Sequence, residues 1–564
     1  METQKNKYSG ILISDFTIDN LASYLNNFAQ GSIIEAKVSE FGQVVQALLD
    51  ERLWSLHPDY SIIWTFPEAV SGSFAKLTNY EVVNVKEIFK EIDLFCGLIK
   101  NASRFVKKAV FLPTWVVPSS YQWLGMLDMK HNIGVSNVLM QMNLRLSENL
   151  DKEQNVYILN TQRWIDAAGG DKAFNPKMWY LGKIAFINEV FKAAANDVVS
   201  ALEGISGNSK KLIIVDLDET LWGGIVGDLG WQNIVLGGHD PVGEAFLDFQ
   251  KALKALKNRG ILLGIVSKND ESIAKEAIEQ NSEMALRLND FAGWQINWLA
   301  KAHNIKALAE ELNIGLQSVV FIDDNPVERA QIRDLLPEVL VPEWPEDKLL
   351  FKKALNELNC FNNPVFSKED AMRTKMYVQD RKRKESKKEI TDVEQWLNTL
   401  GTIVEVGGIS SDNKSRIIQL LNKTNQMNLS TRRMTEDELS AWLDTGKRKL
   451  WAFRVSDKLG DSGLTGIVSL DIRDNKAQII DFILSCRVMG RRIEKSMISF
   501  IFEYAKKIGV VAIFAEYIPT AKNKPCLEFW EDESGFKKIK ENVFELETDK
   551  TYSLPECIKL KPVE

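Results

Sequence analysis

Three apolar runs, LIIV at 212–215, ILLGIV at 261–266 and SVVFI at 318–322, each stop abruptly on a polar residue and are separated by segments with helical patterning. Runs of this length suit strands buried on both faces, which implies a parallel sheet with helical crossovers. The polar stops are Asp216, Ser267 and Asp323. In an open parallel sheet ligands bind beyond the carboxyl ends of the strands, so the three stops are expected to share one site.

At 564 residues the chain is several times the usual domain size, and more than one core is expected. Residues 1–204 show an α/β rhythm of their own, with ILIS, SIIWTF, KAVFLPTW and NVYILNT as strands, each followed by helix-like sequence. The small polar tract ISGNSKK then leads into LIIV, which opens a second domain over 211–345. Residues 346–398 turn strongly charged and helical and are expected to form a connector with a solvated face. Over 399–564, GTIVEV, LWAFRVSD, LTGIVSLDI and AQIIDFILSC have strand patterning, and IEKSMISFIFEYAKKIG is an amphipathic helix closed by a glycine. The expected fold class is therefore α/β, in three domains: two α/β units and a C-terminal α+β unit.

Composition narrows the function. A net charge of -7 gives no electrostatic reason to expect a nucleic-acid partner. Neither a secretory signal nor an apolar run of membrane-spanning length stands out, so a cytoplasmic protein without a membrane partner is expected. The 5 cysteines show no CxxC spacing, which argues against a disulfide framework or a structural zinc. Oligomeric state is left open.

The chemistry concentrates at the strand ends. Asp216 and Asp218 are two apart in extended chain, so their carboxylates face one point. Asp323 and Asp324 form a second acidic pair that repels itself unless a cation compensates. Four carboxylates at neighbouring strand ends imply a cation, and magnesium bound through a minority of its ligands leaves room for water and phosphate oxygen. Ser267, with the amides of Lys268 and Asn269, can hold phosphate oxygens. Taken singly, DxDxT can be a solvated acidic turn and Lys301, in the helix-compatible segment INWLAKAHNIKAL, an exposed lysine.

Taken together, DLDETLWGG, VSKND, Lys301 and FIDDNPVER resemble the four motifs of the haloacid-dehalogenase superfamily in their usual order. The wording of DLDETLWGGIVGDLG, VSKND, FIDDNPVER and TNQMNLSTRR is similar to the FkbH-like family of its subfamily IIIC, over nearly the whole chain. The resemblance implies Asp216 as nucleophile, Asp218 as general acid and base, Thr220 as a loop-orienting residue, and Ser267 and Lys301 as phosphoryl-binding groups. It implies a Mg2+ site made by Asp216, the Asp218 backbone carbonyl, Asp323 and Asp324. It further implies an acyl-phosphate or other small phosphorylated substrate and an acyl carrier protein as partner, in formation of glyceryl thioesters for polyketide or surface-polysaccharide biosynthesis. None of the cysteines falls within the four motifs, so no acyl-cysteine is expected there. The stretch between Asp218 and Ser267 is too short for a large cap domain, so a neighbouring domain is expected to cover the site.

The C-terminal unit resembles the GNAT acyltransferase fold. There the resemblance makes Arg487, Val488, Gly490, Arg491 and Arg492 the loop that holds the pyrophosphate of coenzyme A or a carrier's phosphopantetheine. Trp530 stands where such transferases often place a tyrosine acid. The N-terminal unit resembles SGNH hydrolases more distantly, with Ser14 at the nucleophile position and Asn143 as a second echo. No histidine stands near its last helix, which points to a non-catalytic docking domain. Two alternatives to phosphoryl or acyl-phosphate transfer follow: N-acyl transfer to a sugar or amine, and a carrier-docking scaffold.

Overall fold

The computed structural model describes residues 7–28, 32–118, 124–238, 240–364, 372–388, 392–424, 426–444, 446–520 and 523–563. His239, and Asn425 of TNQMNLSTRR, lie outside the described residues. The chain forms two compact units, one of Met1–Ser209 with Asn359–Pro364 and the other of the remainder. The fold is mixed α/β as expected, with parallel sheets up to residue 322 and a mainly antiparallel, α+β arrangement in the C-terminal part.

In the first unit β1 (Lys7–Ser14), β2 (Ile33–Val38), β3 (Tyr60–Trp64), β4 (Ala109–Pro113) and β5 (Val156–Leu159) form a parallel sheet in the order β2-β1-β3-β4-β5. β3 and β4 are buried at every position, which is why their sequences are apolar apart from Ser61, whose hydroxyl donates to the Ile11 carbonyl. β2 is an unanticipated edge strand: in IIEAKV only two positions are buried, and its polar residues break the apolar signal. One face of the sheet packs an aromatic cluster in which Trp64 stacks on Phe186 with ring centroids 5.1 Å apart.

Residues Asn359–Pro364, within the stretch expected to be a connector, pack with this unit. They run beside α1 (Asn188–Ile205), where the Ser200 hydroxyl donates to the Asn359 carbonyl and accepts from Asn362 Nδ2 at 2.9 Å. A Cβ on Gly204 would lie 2.4 Å from the Asn362 carbonyl oxygen, so the close passage of the two segments requires glycine.

The second unit contains two sheets. In the smaller, β6 (Leu212–Val215), β7 (Leu262–Ser267), β8 (Gly293–Ile296) and β9 (Val319–Ile322) are all parallel, in the order β8-β7-β6-β9. β8 is short, half-buried and at the edge, and its GWQI lacks the apolar run that marks the other three. Val215 is in register with both Ile265 and Ile322, so Asp216 and Asp323 leave adjacent strands at one level, with Ser267 one residue further along β7.

Helix α2 (Lys301–Glu311) follows β8, and α3 (Pro326–Leu335) follows β9. The tails of two motifs are helix starts. Asn325 Oδ1 accepts from the Val327 N–H at 2.9 Å with Pro326 at the first helical position, and Asp270 Oδ1 accepts from the Ser272 N–H at 2.8 Å. These caps fix where the site loops end.

Helix α4 (Arg373–Lys388) also has a buried side, which its charge run did not reveal. Met376 and Val378 are buried, and Arg383 reaches Asp457 through two hydrogen bonds of 2.8 and 2.9 Å. Arg491 Nη1 shares the same carboxylate at 2.9 Å. A buried arginine survives here because its partner is buried and bidentate.

The larger sheet comprises β10 (Thr402–Gly407), β11 (Met427–Asn428), β12 (Arg448–Asp457), β13 (Gly460–Arg473), β14 (Lys476–Leu484), β15 (Ala512–Glu516), β16 (Lys537–Lys540), β17 (Val543–Glu547) and β18 (Ile558–Pro562). Its order is β16-β17-β15-β14-β13-β12-β10-β18, with β11 paired to β14. Helix α5 (Ile493–Lys507) follows β14 and packs its apolar face on the sheet. No helix among the described residues is long and apolar enough to cross a membrane.

Candidate active site

The three strand ends converge on a buried lysine. Lys301 opens α2 with its side chain folded inward, 4% exposed, and its Nζ donates to Asp216 Oδ2 at 2.7 Å and Asp323 Oδ2 at 2.5 Å. Burial opposes its charge, but the Asp216 and Asp323 carboxylates outweigh that and hold its pKa above the ordinary lysine value. Asp323 is pushed up to about 6, by desolvation first and then by the Asp216 charge, while Lys301 pulls it down.

Asp216, Asp323 and Asp324 each bring a carboxylate oxygen within 4.8 Å of the others. Three carboxylates against one buried lysine leave a negative, all-oxygen cluster of the kind that suits a hard divalent cation. Thr220 ties the cluster to the first motif: its hydroxyl accepts from the Asp324 N–H at 3.1 Å and lies 3.3 Å from Asp324 Oδ1. Ser267 is buried at the end of β7, where its carbonyl accepts from Asn297 N–H.

The Asp218 carboxylate is not among the clustered groups. Its Oδ1 accepts from Trp222 Nε1 at 2.8 Å and the Val226 N–H at 3.0 Å, and its Oδ2 accepts from Asn269 Nδ2 at 2.9 Å. Desolvation raises its pKa, with the Asp216 and Glu219 charges adding to the rise and the Val226 and Trp222 hydrogen bonds opposing it. Two neighbouring carboxylates are thus set apart electrostatically, one paired with lysine and one held above the usual carboxylate range by burial.

Several supporting residues were not anticipated. Arg329 Nη1 donates to the carbonyls of Asp323 at 2.8 Å and Asp324 at 2.7 Å, which fixes the acidic loop. Asn269 lies inside VSKND and could have been singled out there. Lys348 could not: it arrives from a separate segment to donate to the Glu219 carbonyl at 2.7 Å and to Asp324 Oδ2 at 3.3 Å.

The C-terminal domain touches the end of α2 opposite Lys301. Asn313 and Gln426 exchange amide hydrogen bonds of 2.9 Å there, about 16 Å of helix away from the buried lysine.

The C-terminal loop residues are brought together between β14 and α5, but each is engaged. Val488 and Arg491 are buried, Arg491 in its pair with Asp457, and desolvation followed by the Arg383 charge brings its pKa down to about 10. Arg492 pairs with Glu394 at 2.5 Å and Glu533 at 3.2 Å. The Gly490 N–H donates to Glu494 Oε1 at 2.9 Å, and Arg487 Nε lies 3.3 Å from Ser485 Oγ.

In the first unit Ser14 Oγ accepts from the Phe16 N–H at 3.1 Å, and Asn143 clamps Trp115 through two 2.9 Å bonds, to its N–H and its carbonyl. Both contacts are structural. The three described histidines, His57, His131 and His303, are exposed, and none bonds to Ser14.

Asp15, next to Ser14, accepts from the Phe66 N–H at 2.9 Å, yet desolvation pushes it up to about 6. Since 3.8 is its ordinary value, the native state keeps a proton that the unfolded chain loses between those limits, so stability falls as pH rises through that window. Asp15→Asn is expected to raise stability by roughly 3 kcal/mol at about pH 8, and by very little below about pH 4. Thermal denaturation at the two pH values measures this, and an equal melting temperature for both proteins at the higher pH refutes it.

An acidic, lysine-bridged cluster at the carboxyl ends of a parallel sheet defines the class of site. The chain belongs to the family of the protein BF1531 from Bacteroides fragilis: it is 31% identical to the N-terminal part of that protein, described as containing a phosphatase domain complexed with Mg. The match has a TM-score of 0.58 and covers 64% of this chain and 96% of that one. Two acetyltransferases are similar over 26% of this chain. They are the spermidine N-acetyltransferase of Vibrio cholerae with CoA and spermine, 16% identical over 96% of its length with TM-score 0.22, and the ribosomal-protein-S18-alanine N-acetyltransferase of Escherichia coli, 8% identical over 94% with TM-score 0.21. No family model and no curated protein matches the chain.

Proposed function

We propose that the protein is a magnesium-dependent phosphoryl- or acyl-phosphate-transfer enzyme whose chemistry takes place at Asp216. The observation that carries this reading is the cluster itself: Asp216, Asp323 and Asp324 gathered within 4.8 Å around one buried lysine, beside an Asp218 whose pKa burial raises. The Mg2+ complexed in the BF1531 phosphatase domain supports the choice of cation, and the all-oxygen donor set fits it. Bound between Asp216, Asp323 and Asp324, Mg2+ would offset charge on the phosphoryl oxygens.

The residues divide the work. Asp216 Oδ1 attacks phosphorus and the bond to the leaving oxygen breaks, with Asp218 delivering its proton to that oxygen. Asp218, now a carboxylate, takes a proton from the incoming water, which attacks the aspartyl-phosphate and releases phosphate. Lys301 stays charged and holds phosphoryl oxygen together with Ser267, while Thr220 and Arg329 keep the acidic loop in place.

The same site serves acyl transfer when the thiolate of an acyl carrier protein attacks the acyl carbon of an acyl phosphate and phosphate departs. We favour a glyceryl or similar small acyl group as the cargo, and a cytoplasmic setting in polyketide or surface-polysaccharide biosynthesis, as the resemblance to the FkbH-like family suggests. Turnover of an acyl phosphate in 18O-labelled water separates the two routes. Water oxygen appears in the released phosphate if attack is at phosphorus, and not if it is at carbon. Phosphate release that is indifferent to chelation of magnesium overturns the proposal.

A further inference from the structure

Coenzyme A and a carrier's phosphopantetheine share one chemistry: an anionic phosphate end and an extended arm with two amide groups. A protein that holds such a ligand by its backbone needs an anion-binding loop and a strand edge with free N–H and carbonyl groups. The C-terminal sheet has the elements to offer both. β14 and β15 pair only through Lys476–Ile479 and Ala512–Ala515, after which β14 runs on to Leu484 and the two strands part. The opposite edge of β14 is paired with β13 as far as Gly466 and Leu484.

The gap between β14 and β15 is filled by the chain itself. Met427 and Asn428 pair antiparallel with Leu484 and Ile483, and the Leu429 N–H donates to the Phe482 carbonyl at 3.1 Å. On the other side Ile518 N–H donates to the Leu429 carbonyl at 2.9 Å, and Asn523 Nδ2 donates to the Asn428 carbonyl at 3.0 Å. The inserted segment is anchored rather than laid on: Met427, Asn428 and Leu429 are buried, and Asn428 bonds within its own turn to Thr424 and Thr431. Beneath it Phe482 packs on Phe529 and Trp530, and the neighbouring Cys526 thiol is pushed up to about 12 by burial, which leaves it inert.

The anion position is filled by a second, independent group. The Gly490 N–H, which the loop would turn toward a phosphate, is taken by the carboxylate of Glu494 on the first turn of α5. The loop also borders a cavity of about 400 Å³ in which Glu310, Glu311 and Asp380 face Arg383, Arg487 and Arg491, and Arg383 and Arg491 are already paired with Asp457.

We infer that the C-terminal domain takes neither coenzyme A nor a phosphopantetheine arm along its central strands: Met427–Leu429 occupies the slot as a built-in strand, and Glu494 occupies the anion position. The residues Arg487, Val488, Gly490, Arg491 and Arg492, expected to hold that cofactor, instead lock the domain's own structure. The inference is independent of the chemistry at Asp216.

Calorimetry on the full chain with coenzyme A and with acetyl-coenzyme A should show no saturable heat up to about 1 mM. Hydrogen exchange should show residues 427–429 and 482–484 protected alike with and without the nucleotide. Glu494→Gln, which removes the competing charge but not the strand, should still bind none. Saturable binding by the wild-type chain or by Glu494→Gln overturns the inference. So does loss of protection at 427–429 on adding coenzyme A, which would make the segment a displaceable lid.

Discussion

Asp216→Asn is expected to lower magnesium-dependent phosphate release by at least about a thousandfold, because the change removes the attacking oxygen and a cation ligand together. Folding should survive: the amide is isosteric, and Lys301 keeps its second partner, Asp323, at 2.5 Å. Circular dichroism and the melting temperature check this alongside the kinetics. Asp218→Asn should behave differently. It loses the proton donor and later base but leaves the nucleophile in place, so phosphorylation slows and the aspartyl-phosphate outlives its formation. Trapping of labelled phosphate on Asp218→Asn but not on Asp216→Asn is the expected pair of results. Ordinary turnover by a folded Asp216→Asn protein would remove Asp216 from the reaction.

Lys301→Met should be the most destabilising of the single changes at the site. It leaves Asp216 and the fully buried Asp323 facing each other without the cation that bridges them at 2.7 and 2.5 Å. Removing one partner of a buried ionic cluster costs roughly 3–5 kcal/mol, because the remaining charges stay desolvated. Millimolar Mg2+ should recover part of that loss by supplying positive charge to the same carboxylates. Denaturant titration of both proteins, with magnesium and with chelator, measures it. An unchanged midpoint, or one that magnesium does not move, shows that the lysine does not balance the cluster.

The site was legible in the sequence where chemistry and strand periodicity coincide. Asp216, Ser267 and Asp323 each end an apolar run, and a parallel sheet leaves such ends only one edge to share. Lys301 came from resemblance, since nothing in the local pattern of α2 shows a lysine turned inward. Arg329 and Lys348 escaped because their partners are loop carbonyls and carboxylates that only the folded chain brings near. β2 and β8 escaped for a different reason: at sheet edges, half-exposed, they carry too few apolar residues to signal strands. β11 is two residues long, below any periodicity, and yet it decides what the C-terminal sheet can hold. The connector helix α4 shows that a charge run is a weak guide to exposure, since one buried acid, Asp457, is enough to draw Arg383 inside.

The strip Asn359–Pro364 that completes the first unit also sets a schedule for synthesis. The first unit leaves the ribosome before the second, but the surface of α1 around Ser200 and Gly204 stays bare until residues beyond the whole β6–β9 domain have been translated. At ordinary elongation rates that interval is on the order of ten seconds. During that time the nascent first unit carries an open seam, which the chain closes only when Asn359–Pro364 emerges.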